Sequence, residues 1–214
     1  MVSDIVVLGE RVPYNSDHPA IAAGVELGWF TQVAGFVRIS NDELLQRLAA
    51  YVVTMEDPWS GRFMGVLQED LSPFGRLDTE QMLRRFAATV REHFPATLRE
   101  NSSFLEGQGR LLFLKYLTPL VSGQGSYRIV SSSLDRRRMD LLVTYSRDTL
   151  LISLRNLYGA SKPEDAHAFF VQELAEEGLK RGYLMNLDLR PLANRSPKEE
   201  WLTVAGRQVY DVVL

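Results

Sequence analysis

Three short apolar runs follow one another in the second half of the chain, with very little sequence between them. The runs are "SYRIVSS", "MDLLVTY" and "TLLISLR", and they are joined by "SLDRRR" and "SRD". Apolar runs of this length are typical of β-strands. Connections this short return the chain antiparallel to itself, because a parallel crossover needs a dozen or more residues. The sequence therefore predicts an antiparallel meander from about Tyr127 to Arg155.

Four other stretches have the apolar spacing of three to four residues that indicates an amphipathic helix. They are "SNDELLQRLAAYVVTM", "DTEQMLRRFAATVREHF", the stretch from about Ser103 to Leu117, and "SKPEDAHAFFVQELAEEGLKRG". Each opens on a residue pattern that caps helix N-termini. The predicted caps are Ser40 with Glu43, Asp78, Ser103 with Glu106, and Ser161 with Glu164, and Gly182 is placed just past the end of the last helix.

The remaining apolar stretches predict further strands. "DIVVL" at residues 4–8 is interpreted as a short buried strand, residues 21–39 as strand-rich, "YLMNLDL" as a strand, and "WLTVAGRQVYDVVL" as a closing hairpin around Gly206. The predicted fold class is α+β or α/β, with a central mixed sheet flanked by the helices near Ser103 and Asp165. Residues 1–100 would form a mostly helical extension on a core of residues 101–214, or the two parts would form one continuous domain.

Composition limits the kinds of partner. A net charge of −3 over 214 residues gives no general attraction to polyanions. The absence of cysteine excludes disulfides and thiolate metal sites and favours the cytoplasm as the compartment. Apolar stretches interrupted by charges and proline predict neither an export signal nor membrane insertion.

Four short motifs occur in the order helix, three strands, helix, strand between about Ser102 and Leu189. They are "FLEGQGRLLFLKYL", "RRRMDLLV", "LLISLR" and "EDAHAFF". In this order and with these motifs the chain resembles the PD-(D/E)XK nuclease-like superfamily. More narrowly, it is similar to the C-terminal module of bacterial AAA-ATPase-like proteins. The resemblance implies a restriction-endonuclease-like core and four motif positions: Glu106 and Asp140 as acidic metal ligands, Ser153 at the second motif acid, and Arg155 at the motif lysine.

Two of these four positions depart from the pattern that the chemistry requires. Mg²⁺ needs hard oxygen ligands, and it acts by stabilising charge on the phosphate and acidifying a bound water. Ser153 is a neutral hydroxyl, and the guanidinium of Arg155 stays protonated, so it cannot act as a base. We therefore expect a degenerate nuclease site without a cofactor, and Mg²⁺ only if activity remains.

Each candidate residue also has a structural interpretation. Glu106 would cap its helix, and Asp140 would form an ion pair with Arg138 or Arg155. Ser153 and Arg155 share one face of a strand, which on this interpretation meets solvent. The three consecutive arginines could bind nucleic-acid phosphates but would more often be solvated charge; they are Arg136, Arg137 and Arg138. His18, His93 and His167 lack the spacing of metal ligands.

Three functional hypotheses follow. The leading one is an inactive nuclease-like binding, assembly or regulatory module. The second is an active Mg²⁺-dependent DNA or RNA nuclease with a relocated ligand, for which Glu164, Asp165 or Glu173 could supply the oxygen. The third is an adaptor for a separate ATPase. A protein partner, either an ATPase or a second copy of the chain, is expected over nucleic acid, and whether "GVELGWFTQVAGFV" is core or interface is left open.

Overall fold

The structure of the protein is a computed structural model. The structure describes residues 1–7, 9–55, 77–93, 108–130, 138–157, 163–188 and 198–214. The fold is α+β, with a six-stranded mixed central sheet flanked by helices. The helices are α1 (Val2–Val6), α2 (Pro19–Glu26), α3 (Asp42–Thr54), α4 (Thr79–His93), α5 (Arg110–Val121) and α6 (Pro163–Glu176). The strands are β1 (Phe30–Val33), β2 (Phe36–Ile39), β3 (Gly125–Ile129), β4 (Arg138–Tyr145), β5 (Asp148–Leu157), β6 (Arg181–Asp188), β7 (Lys198–Val204) and β8 (Arg207–Val213).

The central sheet has the strand order β3-β4-β5-β6-β8-β7. The predicted meander is confirmed, since β3, β4 and β5 pair antiparallel in sequence order. Strand β6 pairs parallel with β5, and α6 makes the crossover between them, as a parallel connection requires. Strands β7 and β8 form the predicted hairpin. Strand β8 then pairs parallel with β6, so the second strand of the hairpin lies inside the sheet and β7 forms its edge.

The two faces of the sheet bury different cores. Helices α1, α3, α4 and α5 contribute to the larger core on one face, where Phe86 and Phe113 pack edge to face with ring centroids 5.1 Å apart. Helix α6 covers the other face and packs Phe170 and Leu174 against Leu151 and Leu184. Alternate residues of each strand therefore point to different cores, and only the α6 face also carries many polar side chains.

Several N-terminal predictions were wrong. "DIVVL" lies mostly in helix α1, where the N-terminal ammonium and Asp4 form an ion pair at 2.6 Å and where Val6 is fully buried. Residues 21–39 are only partly strand, because α2 precedes the small β1-β2 hairpin. The hairpin buries Phe30 and Val37 in a small separate core. Large apolar side chains remain exposed beside it; they are Val25, Leu27, Trp29 and Val33.

Helix ends also differ in part from the predictions. Asp78 caps α4 as predicted, accepting from the Gln81 backbone N–H at 3.0 Å. Helix α3 is capped by Asn41 instead of Ser40, whose hydroxyl donates to the carbonyl of Gly28. The apolar spacing of this stretch predicts a buried stripe of Leu44, Leu45, Leu48, Tyr51, Val52 and Met55. Tyr51 and Met55 are in fact exposed, and Ala49 and Val53 are buried.

At the far end of α6, Gly178 has the positive φ (69°) of a helix-terminating glycine, whereas Gly182 lies in β6. The predicted caps at Ser103, Glu106 and Ser161 fall outside the described residues, as does the predicted domain boundary near residue 100. No helix in the described ranges is long and apolar enough to cross a bilayer.

Candidate functional site

Polar residues form two adjacent rows across the α6 face of the sheet. Residues in register on neighbouring strands lie side by side on one face. One row runs Asp140, Ser153, Leu184, Asp211, and the next runs Arg138, Arg155, Asn186, Val213. Two residues further along the strands, the row on the other side of the first consists of Leu142, Leu151, Gly182 and Val209. That row carries no polar side chain. The face therefore changes from apolar to polar along the strands, beneath a single helix.

Helix α6 buries the polar rows, so the prediction that Ser153 and Arg155 face solvent is wrong. Ser153 is fully buried and Arg155 is 8% exposed. The prediction assumed that the polar face of an alternating strand meets water. In this fold the helix covers that face and supplies its own charged side chain, Glu173, to the buried arginine.

Asp140 lies at the β4 end of the first row and is 1% exposed. The Ser153 hydroxyl donates to its Oδ1, and Nε of Arg138 forms an ion pair with its Oδ2 at 3.7 Å. Arg155 in turn donates from Nε to the Ser153 hydroxyl at 3.1 Å. Asp140 is thus paired with Arg138, one of the two partners predicted for it, and Ser153 links Asp140 to Arg155.

Glu173 closes the network from α6. Its Oε1 accepts from Nη1 of Arg138, and its Oε2 accepts from Nη2 of Arg155 at 3.1 Å. The two arginines are register partners on β4 and β5, and like charges directly opposite each other are destabilising unless an anion compensates them. Glu173 is that anion. All four carboxylate oxygens of Asp140 and Glu173 therefore contact a donor or a guanidinium.

Burial raises the pKa of Glu173 to about 7, and the neighbouring Asp140 carboxylate acts in the same direction. Arg155 and Arg138 oppose this rise in the pKa of Glu173 without cancelling it. The two guanidiniums contribute +2 and the two carboxyl groups contribute at most −2, so the network carries no net negative charge. A site of this charge has no excess of negative charge with which to attract a cation.

A cavity of about 340 Å³ opens beside the network. Asp140, Glu173 and Arg138 line one side, and Val130, Leu151 and Phe169 form apolar parts of the wall. Phe169 is 60% exposed. The network can therefore be reached from solvent through an opening between α6 and the β3-β4 side of the sheet.

A second buried cluster, which the sequence interpretation missed, lies where α6 crosses β6 and β8. Asp211 accepts from Asn186 Nδ2 at 2.6 Å and contacts His167 Nε2 at 2.8 Å. Asn186 is fully buried, and its Oδ1 has no hydrogen-bond partner among the described residues. The available signal was Asp211, an acid inside the apolar strand "VYDVV", which is expected to be buried with a partner.

The structure does not describe the side chains of most of the other predicted site residues. Glu106, Arg136 and Arg137 lie outside the described residues, and the side chains of Glu164 and Asp165 are not described. Arg138 points into the network, where it is paired with Glu173 and Asp140. Within the described part of the chain, no group of three or more His, Cys, Asp or Glu side chains is arranged to hold a metal ion.

Comparison with known proteins gives no relative. The chain matches no family model, no curated protein and no solved structure. Functional interpretation therefore depends on the residues and contacts described above.

Proposed function

We propose that the chain is a catalytically inactive, nuclease-like protein that serves as a binding, assembly or regulatory module. One observation carries the proposal: Arg138 and Arg155 lie against Asp140, a predicted metal ligand, and against Glu173, a candidate for a relocated ligand. The guanidinium groups supply the positive charge that Mg²⁺ would otherwise supply. Two permanent cations beside the carboxylates also repel a divalent ion.

The hydrogen bonds of the network support the same conclusion. Mg²⁺ requires near-octahedral oxygen ligands at about 2.1 Å and keeps several waters. To reach Asp140 and Glu173 it would have to displace the buried Ser153 hydroxyl, the buried Arg155 guanidinium and the partly buried Arg138 guanidinium. Removing one partner of a buried ion pair costs about 3–5 kcal/mol. The arginines therefore stabilise the contact between α6 and the sheet at the position where a nuclease would hold its metal.

Support for a binding role comes from the surface. Trp29, just before the β1-β2 hairpin, is 44% exposed, and the nearby Leu27 is 63% exposed. Aromatic side chains are enriched in protein interfaces, and tryptophan is among their strongest contributors. A protein partner is thus favoured over nucleic acid, since Arg138 is engaged inside the protein and the chain has a net charge of −3.

Calorimetric titration with Mn²⁺, combined with DNA and RNA cleavage assays in Mg²⁺ and Mn²⁺, tests this proposal. We expect neither binding heat nor cleavage from the unmodified chain. The matched variant restores the motif chemistry by combining Ser153→Glu with Arg155→Lys. It should gain Mn²⁺ binding, because it adds a carboxylate and removes a guanidinium. Cleavage by the unmodified chain that Asp140→Ala abolishes would overturn the proposal.

One observation favours a second candidate, a metal-dependent nuclease with Glu173 as the relocated ligand. The Asp140 carboxylate is close enough to raise the pKa of Glu173, and both carboxyls line the same cavity. In that case Glu173→Gln should abolish both Mn²⁺ binding and cleavage, whereas Glu176→Gln, one helical turn away on the same cavity wall, should preserve both. The third candidate, an adaptor for a separate ATPase, predicts co-purification of an ATPase from native lysate.

A further inference from the structure

The two edge strands of the central sheet, β3 and β7, differ in whether their outward-facing backbone groups are bound by another part of the chain. At the β3 edge the side-chain amide of Gln46 donates to the Ile129 carbonyl at 2.9 Å and accepts from the Ile129 N–H at 2.8 Å. A side chain thus occupies backbone groups that another strand could use. At the opposite edge, β7 pairs with β8 and with no other strand in the described ranges. An open edge of this kind is a template for adding a strand.

The turn between β7 and β8 determines which backbone groups of β7 face outward. Ala205 and Gly206 both have positive φ, 47° and 77°, as a two-residue type I′ turn requires. Such a turn closes with a hydrogen-bonded pair of flanking residues, which are Val204 and Arg207. Backbone groups alternate in direction along a strand. The N–H and C=O groups of Glu199, Trp201 and Thr203 therefore point away from β8.

We propose that β7 pairs antiparallel with β7 of a second copy of this chain, around a two-fold axis at Trp201. This register places Trp201 opposite itself and Glu199 opposite Thr203, and it pairs outward-facing groups with outward-facing groups. It uses all seven residues of β7 and joins two six-stranded sheets into one. It also places no like charges directly opposite each other, because Lys198 lies opposite Val204 and Glu200 opposite Leu202.

Neighbouring registers are less favourable. A two-fold axis at Glu199 or at Glu200 would place that carboxylate opposite its own copy, and like charges directly opposite each other are destabilising. An axis at Leu202 would leave Lys198 and Glu199 beyond the paired residues. The sequence "KEEWLTV" is therefore compatible with self-pairing in one full-length register.

The side chains on the Trp201 side fit the same arrangement. Trp201 packs against Tyr210 and Tyr183 with centroids 5.3 and 5.9 Å apart, yet it is 40% exposed. In the proposed pair the exposed parts of the two Trp201 rings meet across the axis. Buried aromatic anchors at the centre of an interface carry much of its binding energy. Strand β7 also contains no proline and no bulge, two devices that prevent edge pairing.

Sedimentation analysis of the full chain tests the proposal. The unmodified chain should be a dimer at about 100 µM, since association with a micromolar Kd is complete in that range. Thr203→Pro removes an outward N–H without removing a bond to β8, and it should raise the dimer Kd at least about tenfold. The matched variant Thr203→Val keeps the N–H and should remain dimeric. A monomeric unmodified chain, or a dimeric Thr203→Pro variant, overturns the proposal.

Cross-linking provides a second measurement that does not depend on how well the proline variant folds. The chain has no cysteine, so a single introduced cysteine can form a disulfide only between copies. Hydrogen-bonded antiparallel partners have Cα atoms about 5.5 Å apart, which a disulfide can span. A mixture of the Glu199→Cys and Thr203→Cys variants should therefore cross-link under oxidation, because these residues are partners in this register, whereas Thr203→Cys by itself, four residues away from its own copy, should not. Absence of cross-linking in the mixture, or equal cross-linking of Thr203→Cys by itself, overturns the proposal, and neither experiment depends on the metal chemistry of Asp140 and Glu173.

Discussion

Gly182 sets the distance between α6 and the sheet, and Gly182→Ala is the sharpest test of that packing. A Cβ at this position would lie 2.6 Å from Cδ2 of Leu174 and 2.7 Å from Cζ of Phe170. Carbon atoms in favourable contact are about 3.5–4.0 Å apart, so the methyl group is too close by about 1 Å. Leu174 and Phe170 are fully buried, and neither can swing into open space. The helix must therefore shift or the side chains must leave their rotamers.

Overpacking of this kind costs about 1–3 kcal/mol. Replacing a strand glycine by alanine recovers about 0.5–1 kcal/mol, because the unfolded chain loses conformational freedom. We therefore expect Gly182→Ala to lower the free energy of unfolding by about 0.5–2 kcal/mol. For a chain of this length that corresponds to a fall in Tm of a few degrees, at about 2–4 °C per kcal/mol. Urea and thermal unfolding followed by circular dichroism measure both quantities.

The matched background is Leu174→Ala, which removes the nearest obstacle to the new methyl group. Gly182→Ala should destabilise this background less than it destabilises the unmodified chain, giving a favourable coupling energy in the double-mutant cycle. An unchanged Tm for Gly182→Ala, or an equal penalty in both backgrounds, would refute the proposed contact between α6 and β6.

Three further predictions concern the network and the caps. Arg155→Leu leaves Glu173 with only Arg138 and should lower the free energy of unfolding by about 3–5 kcal/mol. Arg47→Leu, which breaks an exposed pair with Glu43, should cost less than about 1 kcal/mol in the same urea titration. Because Glu173 has a folded-state pKa of about 7 against an ordinary 4.5, the folded chain holds a proton that the unfolded chain releases. Its contribution to stability is full below pH 4.5 and is lost as the pH rises to about 7; because the carboxyl is partly exposed and solvent screens its charge, the loss should stay well below about 3 kcal/mol. Glu173→Gln should remove this fall, and an unchanged pH profile would contradict it. Asn41→Ala removes the cap of α3 and should lower the free energy of unfolding by about 1 kcal/mol. Ser40→Ala should lower it less, and an equal or larger loss for Ser40→Ala in thermal unfolding would contradict the assignment of Asn41 as the cap.

The central sheet was predictable because its signals are local. Connections as short as "SRD" leave only antiparallel pairing for β4 and β5, and the helical stretch before "YLMNLDL" predicts a crossover to a parallel strand. "DIVVL" was not predictable in the same way, because a short apolar run suits a strand or a buried helix equally. Its helical state depends on contacts of Val6 with the larger core.

The candidate site was predictable only in part, because its charges come from separate elements. The sequence identified Asp140, Ser153 and Arg155 on two paired strands and named Glu173 among three candidate oxygen donors. It did not place Glu173 between Arg138 and Arg155, since that depends on how α6 lies across the sheet. The His167, Asp211 and Asn186 cluster joins α6, β8 and β6, which are far apart in the chain, and no spacing rule links them.

The crossover through α6 also has a consequence for the order of folding. Strands β3, β4 and β5 are joined by short connections, so they can pair early at a small cost in loop-closure entropy. Glu173 reaches them only when α6 docks with β6. Until then Asp140 is the one carboxylate of this network beside Arg138 and Arg155, so the paired strands carry excess positive charge. Dissolved anions screen that charge, so pairing of the strands should accelerate with ionic strength, whereas docking of α6, which brings Glu173 to the two arginines, should slow.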